Sequence, residues 1–254
     1  MTENDLAVKP FSGKRTFEEI ADQLRDLIYT KKLKPGDKLP AERDLAEMFN
    51  AGRTAVRESL RVLEHSGLIT VKLGSEGGSF VKEVDSSAVS KSFIDVIRRR
   101  EVTVENFIEV RIGVEKLAIG SAMVRITPEE LVLLEKCMGD AEALLEEAVQ
   151  RDGLPDLNSW VATNGEFHVI LARATRNPLF EMIVESFLTV MGTFLEDPPI
   201  VPENFYGHTQ QHREIYEAVK NKDLRLAERL LETHSVWVGK TLSVQYNARV
   251  TDKR

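Results

Sequence analysis

One cysteine, few aromatics and no long apolar run set the first limits on this chain of 254 residues. Cys137 alone cannot close an internal disulfide or build a multi-cysteine zinc module. Its place in the stretch 131–138 predicts a small core hydrophobe. Apolar runs stay short of the roughly 18 residues a membrane span needs. The first ten residues have no apolar core, so they do not read as a secretory signal, and a cytoplasmic location is the default expectation. A positive balance is missing too: 34 Lys and Arg face 41 Asp and Glu, a net charge of -7. Spread evenly, that charge would argue against a surface made for nucleic acid. What is present suffices for folding. With 42% hydrophobic and 30% charged residues, the chain can bury one large core or two modest ones.

The charge is not spread evenly. Residues 1–84 carry 14 basic and 14 acidic side chains, so the whole acidic excess lies beyond them. Such asymmetry predicts two domains with different partners. The Gly-rich stretch 74–78 and the polar connector 84–88 place the joint. The expected domains are 1–84, 85–245 and a frayed polar tail, 246–254.

The first domain predicts three helices and a hairpin. Thr16-Phe17-Glu18-Glu19 is a capping box that opens a helix whose apolar face carries Phe17, Ile20, Leu24, Leu27 and Ile28. A short helix over about 41–49 turns Leu45, Met48 and Phe49 inward. A third runs from Arg53 to about Ser66 with Val56, Leu60 and Leu63 inward, and Gly67 stops it. Strand-like segments 68–73 and 79–82 flank the glycine-rich tip. This order of elements is a winged helix-turn-helix. Arg53, Arg57 and Arg61 stand at i, i+4 and i+8 along the polar side of the third helix. A helix so equipped fits a major groove, where Arg bonds guanine O6 and N7 together. The plainer alternative is a solvated face whose arginines pair with Glu58 and Glu64.

Leu39-Pro40-Ala41-Glu42-Arg43-Asp44-Leu45-Ala46, Arg53-Thr54-Ala55-Val56-Arg57-Glu58-Ser59-Leu60, Leu63-Glu64 and Gly67-Leu68-Ile69 together resemble the GntR family of bacterial transcription regulators, over about residues 16–82. The resemblance implies that Arg43, Arg53, Thr54 and Arg57 contact double-stranded operator DNA. It also implies that Gly74 lets the wing approach the minor groove, and that the operator is a short palindrome with GT and AC half-sites. Two positions depart from the pattern. Gly52 stands where Ser or Thr is usual, and Ala55 where relatives carry a hydroxyl or Pro. Both bear on operator preference rather than on DNA binding.

Beyond residue 88 helical periods dominate. Helices are expected at roughly 88–99, 104–124, 128–149, 157–175, 178–195, 203–220 and 223–242, with joints at Pro128, Asn177-Pro178, 197–199 and 221–223. The whole is mainly α: a winged helix-turn-helix followed by an all-α bundle of six or seven helices. Three of the five histidines fall on apolar helical faces: His168 with Phe167 and Leu171, His212 with Ile215 and Val219, His234 with Leu230 and Leu231. Burying three unbonded imidazoles is costly. A shared metal ion would satisfy them, with Asn164 one turn before His168 adding an oxygen; imidazole-rich sites suit zinc, nickel, copper or iron. Separately hydrogen-bonded core histidines, or a catalytic histidine, remain open on spacing alone. Arg111, on an otherwise apolar stripe, either pairs with Glu115 at i+4 or forks onto a ligand carboxylate.

Asn164-Gly165-Glu166-Phe167-His168, Asn177-Pro178, Gln211-His212-Arg213-Glu214-Ile215 and Glu232-Thr233-His234 resemble the FCD-type effector domain of the FadR-like subgroup. That resemblance implies a divalent metal, zinc or nickel, on Asn164, His168, His212 and His234, with Asn where Asp is commoner. It further implies a small organic acid as effector, which suits Arg111. His208 reads as a surface residue and His65 as a helix-end residue. The expectation is a metabolite-responsive homodimeric regulator, a repressor by kind. The rival is a metal-dependent helical enzyme using the histidines and Glu166, with an appended DNA-binding module. A third reading leaves the histidines structural and gives the effector to Arg111 and apolar contacts.

Overall fold

The computed structural model describes residues 16–74, 77–83, 85–100, 102–194 and 202–252; for residues 98, 100, 193–194, 202–204 and 244–252 only the backbone is described. The connector residue Val84, two residues of the wing tip and the 197–199 joint lie outside them.

Helix α1 (Thr16–Tyr29) is followed by α2 (Glu42–Met48) and α3 (Arg53–His65), then by β1 (Ile69–Lys72) and β2 (Gly78–Val81). Ile20, Leu24, Leu45, Val56, Leu60 and Leu63 meet in one core beneath the three helices. The strands pair antiparallel, Ile69 opposite Val81 and Lys72 opposite Gly78. Ile69 joins that core, and Val81 opposite it is buried as well. Lys38 adds an isolated rung against Phe80, which ties the chain before α2 to the wing. Met48 departs from expectation, since 71% of it is exposed. A seven-residue helix offers few covered positions, and Phe49, four residues on from Leu45, takes the sheltered side.

The second unit is built from α4 (Ser87–Arg100), α5 (Val104–Arg125), α6 (Pro128–Gln150), α7 (Leu157–Ala174), α8 (Pro178–Phe194), α9 (Pro202–Lys220) and α10 (Leu224–Asp252). The chain divides into two compact units between Ala88 and Val89. Ser87 and Ala88 already form the first turn of α4, so the helix starts one residue before the expected 88. The Asp85 carboxylate accepts from the Ser87 backbone N–H and starts that turn. Capping boxes open α5 (Thr103 with Asn106) and α6 (Thr127 with Glu130), and Asp156 caps α7 through the Ser159 N–H. The backbone of α10 stays helical through Asp252, across most of the expected tail, because neither Gly nor Pro interrupts it after Gly239.

Helix α5 packs against α7, α8 and α10, and α9 lies against α6 and α10. The contact of α5 with α10 is close: a Cβ on Gly239 would stand 2.8 Å from Ile108 Cγ1. This packing places Arg111 and Glu115 of α5, His168 of α7, His212 of α9 and His234 of α10 in one interior, all buried.

Candidate functional site

The DNA-facing candidates are exposed, as a reader requires. Arg53 is the first residue of α3 and has no ion pair among the described residues; Thr54 beside it is exposed. Gly52 caps α3 in extended conformation without a side-chain hydrogen bond. Arg43 lies in the open, 3.4 Å from Asp44 and 3.9 Å from Glu47. Gly74 adopts φ +110° with nothing within 4 Å of where a Cβ would be, an open wing base that favours glycine. The plainer pairing holds for Arg61, which bonds Glu58 at 2.8 Å. It fails for Arg57. That guanidinium reaches across to Glu42 on α2, with Nε 3.1 and 3.2 Å from the two carboxylate oxygens and Nη2 2.8 Å from one. Glu64 instead accepts the Val71 backbone N–H. The Arg57 hydrogen bond chiefly holds the Glu42 carboxyl below its usual value.

In the second unit, the geometry assigns tautomers. His168 donates from Nδ1 to a Glu115 oxygen at 2.7 Å, because a carboxylate only accepts. Its Nε2 then carries a lone pair, which accepts from Arg111 Nη2 at 3.1 Å. His234 donates from Nδ1 to the Gln211 side-chain oxygen at 2.9 Å, so its Nε2 also carries a lone pair. That Nε2 lies 3.3 Å from Nε2 of His212. His212 stacks on Phe167, ring centroids 4.3 Å apart. One ligating nitrogen from each of His168, His212 and His234 falls within 4.8 Å of the others. Burial, then the charge of neighbouring histidines and Arg111, pushes His212 and His234 well below the usual imidazole value, so both are neutral donors at pH 7.

These donors fit a divalent metal. Two Nε2 atoms on one ion, each at about 2.0–2.1 Å, stand about 3.0–3.4 Å apart, which brackets the observed spacing. The outer partners Glu115 and Gln211 fix ring orientation as second neighbours of metal ligands do. Asn164 is buried on the same lining; its Nδ2 donates to the Trp160 carbonyl at 2.9 Å, which leaves Oδ1 as the candidate oxygen donor.

Arg111 takes the i+4 pairing with Glu115 that the sequence offered. Its Nε meets Glu115 at 2.5 Å, and only 1% of the Arg111 side chain and 5% of Glu115 is exposed. It also lines a cavity of about 70 Å³ with Asn164, His168, Trp160, Met191 and His208. Burial opposes ionisation of Glu115, but Arg111 and His168 outweigh it and hold the carboxyl down at about 2.

His208 requires correction. It is not a surface residue: its ring lies 4.4 Å from His212 and 4.6 Å from His234, centroid to centroid. Its Nδ1 is shielded from solvent and has no hydrogen-bond partner among the described residues, as is the case for Nε1 of Trp160, whose ring it meets edge-on at 4.7 Å. The signal was available in the sequence, since His208 is one turn before the inward His212 and shares its face. His65 is the exposed last residue of α3, as read. Glu166 turns outward to Arg173 at 2.8 Å, with 47% of its side chain exposed. The enzyme reading thereby loses its acid–base group.

Known proteins carry the same two parts. Residues 16–81 match the family described as bacterial regulatory proteins, gntR family, and residues 106–236 match the FCD domain. The HTH-type transcriptional repressor NanR of Cronobacter sakazakii is 27% identical over 237 residues, covering 90% of this chain and 86% of that one. NanR of Citrobacter rodentium is 26% identical over 239 residues, with the same coverage. The solved structure of Streptococcus agalactiae GntR superposes with a TM-score of 0.64 at 25% identity, covering 89% of this chain and 99% of that one. With both parts matched in sequence and their order shared with a solved relative, this chain is a transcription regulator and belongs to the gntR family of bacterial regulatory proteins, in the form that carries an FCD domain.

Proposed function

We propose that this regulator binds a palindromic operator as a homodimer and alters its grip when a small carboxylate binds beside a divalent metal ion in the FCD domain. Three buried histidines, one ring nitrogen of each within 4.8 Å of the others, next to a cavity that Arg111 lines, carry this reading; His168 would exchange its hydrogen bond from Arg111 for the ion. Asn164, His168, His212 and His234 would hold the ion, zinc or nickel, which would supply an electrophilic anchor for a ligand oxygen. Arg111 spends three of its five N–H groups on Glu115, Met191 and His168, so one on each Nη remains for an acid. The volume of about 70 Å³ suits a short acid. The repressor names of the NanR relatives support repression as the sign of control.

The DNA end rests on Arg43, Arg53, Thr54 and Arg57, all exposed, with Gly74 at the wing. A homodimer matches a palindrome by symmetry. Val110, Leu117 and Val124 lie exposed at seven-residue spacing on α5, an apolar seam that a second copy would cover.

Elemental analysis of protein grown with ample metal should find one ion per chain; absence of stoichiometric metal overturns the site. With an operator selected from randomised duplexes, a panel of short carboxylates should change affinity only for metal-loaded protein. His212→Ala should lose both metal and acid response while still binding the operator, and normal response in that variant refutes the assignment. Leu117→Glu should shift sedimentation equilibrium from dimer towards monomer; an unchanged dimer removes the α5 seam from the interface.

A further inference from the structure

We infer that Glu42 is a positioning residue for DNA recognition: its carboxylate clamps the guanidinium of Arg57 so that one edge alone is offered to a base. The inference rests on the reading of Arg57 as a base contact. Glu42 opens α2, and Arg57 lies one turn into α3, so the pair spans the two helices of the helix-turn-helix. The carboxylate occupies the side of the guanidinium formed by Nε and Nη2. Nη1 has no hydrogen bond among the described residues, and Nη2 keeps one N–H beyond the one it gives Glu42. The remaining Nη1–Nη2 edge is the planar fork that matches guanine O6 and N7. A free arginine on a helix surface samples many rotamers and must order itself on the DNA; a clamped one has already lost that freedom.

Charge supports the same role. A carboxylate on a DNA-facing surface is repelled by phosphates unless a cation neutralises it. Here Arg57 does so, and the first turn of α2 favours the negative charge as well. The pair is close to neutral as a unit, so Arg57 contributes direction more than general attraction. Arg53, with no ion pair among the described residues, is the opposite case.

This gives Glu42→Gln an unusual signature. Removing the carboxylate frees one positive charge, so affinity for random duplex should rise, and the salt dependence of binding should steepen by about one unit. Discrimination for the preferred base at the position Arg57 reads should fall about tenfold. A role in merely folding α2 would weaken specific and random binding together. The experiment selects operators from randomised duplexes with the full-length wild-type, Glu42→Gln and Arg57→Ala proteins, then measures specific and random-duplex affinities against salt. Arg57→Ala should erase preference at one base position per half-site, and Glu42→Gln should blur that same position while tightening random binding. If Arg57→Ala blurs a position and Glu42→Gln leaves it sharp, the positioning role is overturned. Parallel loss of specific and random binding in Glu42→Gln overturns it too. If Arg57→Ala changes no base preference, both this role and the base-contact reading fall.

Discussion

Two arginine–glutamate pairs, one in each unit, show how differently the same chemistry behaves at a surface and in an interior. Arg57 and Glu42 are 56% and 39% exposed, whereas Arg111 and Glu115 are 1% and 5% exposed. Water screens the first pair, so it governs orientation and charge and contributes little to folding. The second pair has no such screening. Each partner depends on the other, and His168 depends on both. The reader can thus lose a functional arginine and stay folded, whereas the interior of the FCD domain couples stability to the site itself.

Breaking the buried pair should give the largest effect. Glu115→Ala leaves Arg111 charged and unpaired and His168 without its anchor, and should cost about 3–5 kcal/mol in denaturant unfolding. A loss under about 1 kcal/mol would show that water or rearrangement replaces the carboxylate, and the contrast would fail. Glu42→Ala, the matching change at the surface, should leave the unfolding midpoint where it is. Next comes Arg53→Ala, which should weaken specific operator binding by about 1–3 kcal/mol with no change in unfolding. Unaltered affinity would remove Arg53 from the interface. The smallest non-zero change is expected from Gly52→Ser. Position 52 is extended, open around its missing Cβ and lacks a side-chain cap, so a hydroxyl there should stabilise α3 by a few tenths of a kcal/mol. Destabilisation in that variant would mean that the bare cap has a steric purpose.

Much of this was legible in the chain. Capping residues, helical periods and glycine stops located the helices within one or two residues in most cases, because these signals are local. Helix α10 outran its expected end, since polarity alone does not stop a helix that meets no breaker. Met48 was misplaced because a two-turn helix is shielded by its neighbours and not by its own period. The arginine pairings were half visible. Arg61 with Glu58 lies within one turn, while Arg57 with Glu42 spans 15 residues and two helices, beyond what spacing on one helix can show. The inward place of His208 is visible in its spacing, one turn before His212 on the same face.

Sequence alone determined the two-part plan, the winged helix-turn-helix, the mainly helical second part and the inward faces of His168, His212 and His234. All of these follow from short-range periodicity and the placement of charge. Only the tertiary structure decided which nitrogens face one another, that Glu115 serves Arg111 and His168 at once, that Glu166 turns away, and that His208 joins the cluster. Those outcomes depend on how α5, α7, α9 and α10 approach each other, and such distances are set by packing between segments far apart in the chain.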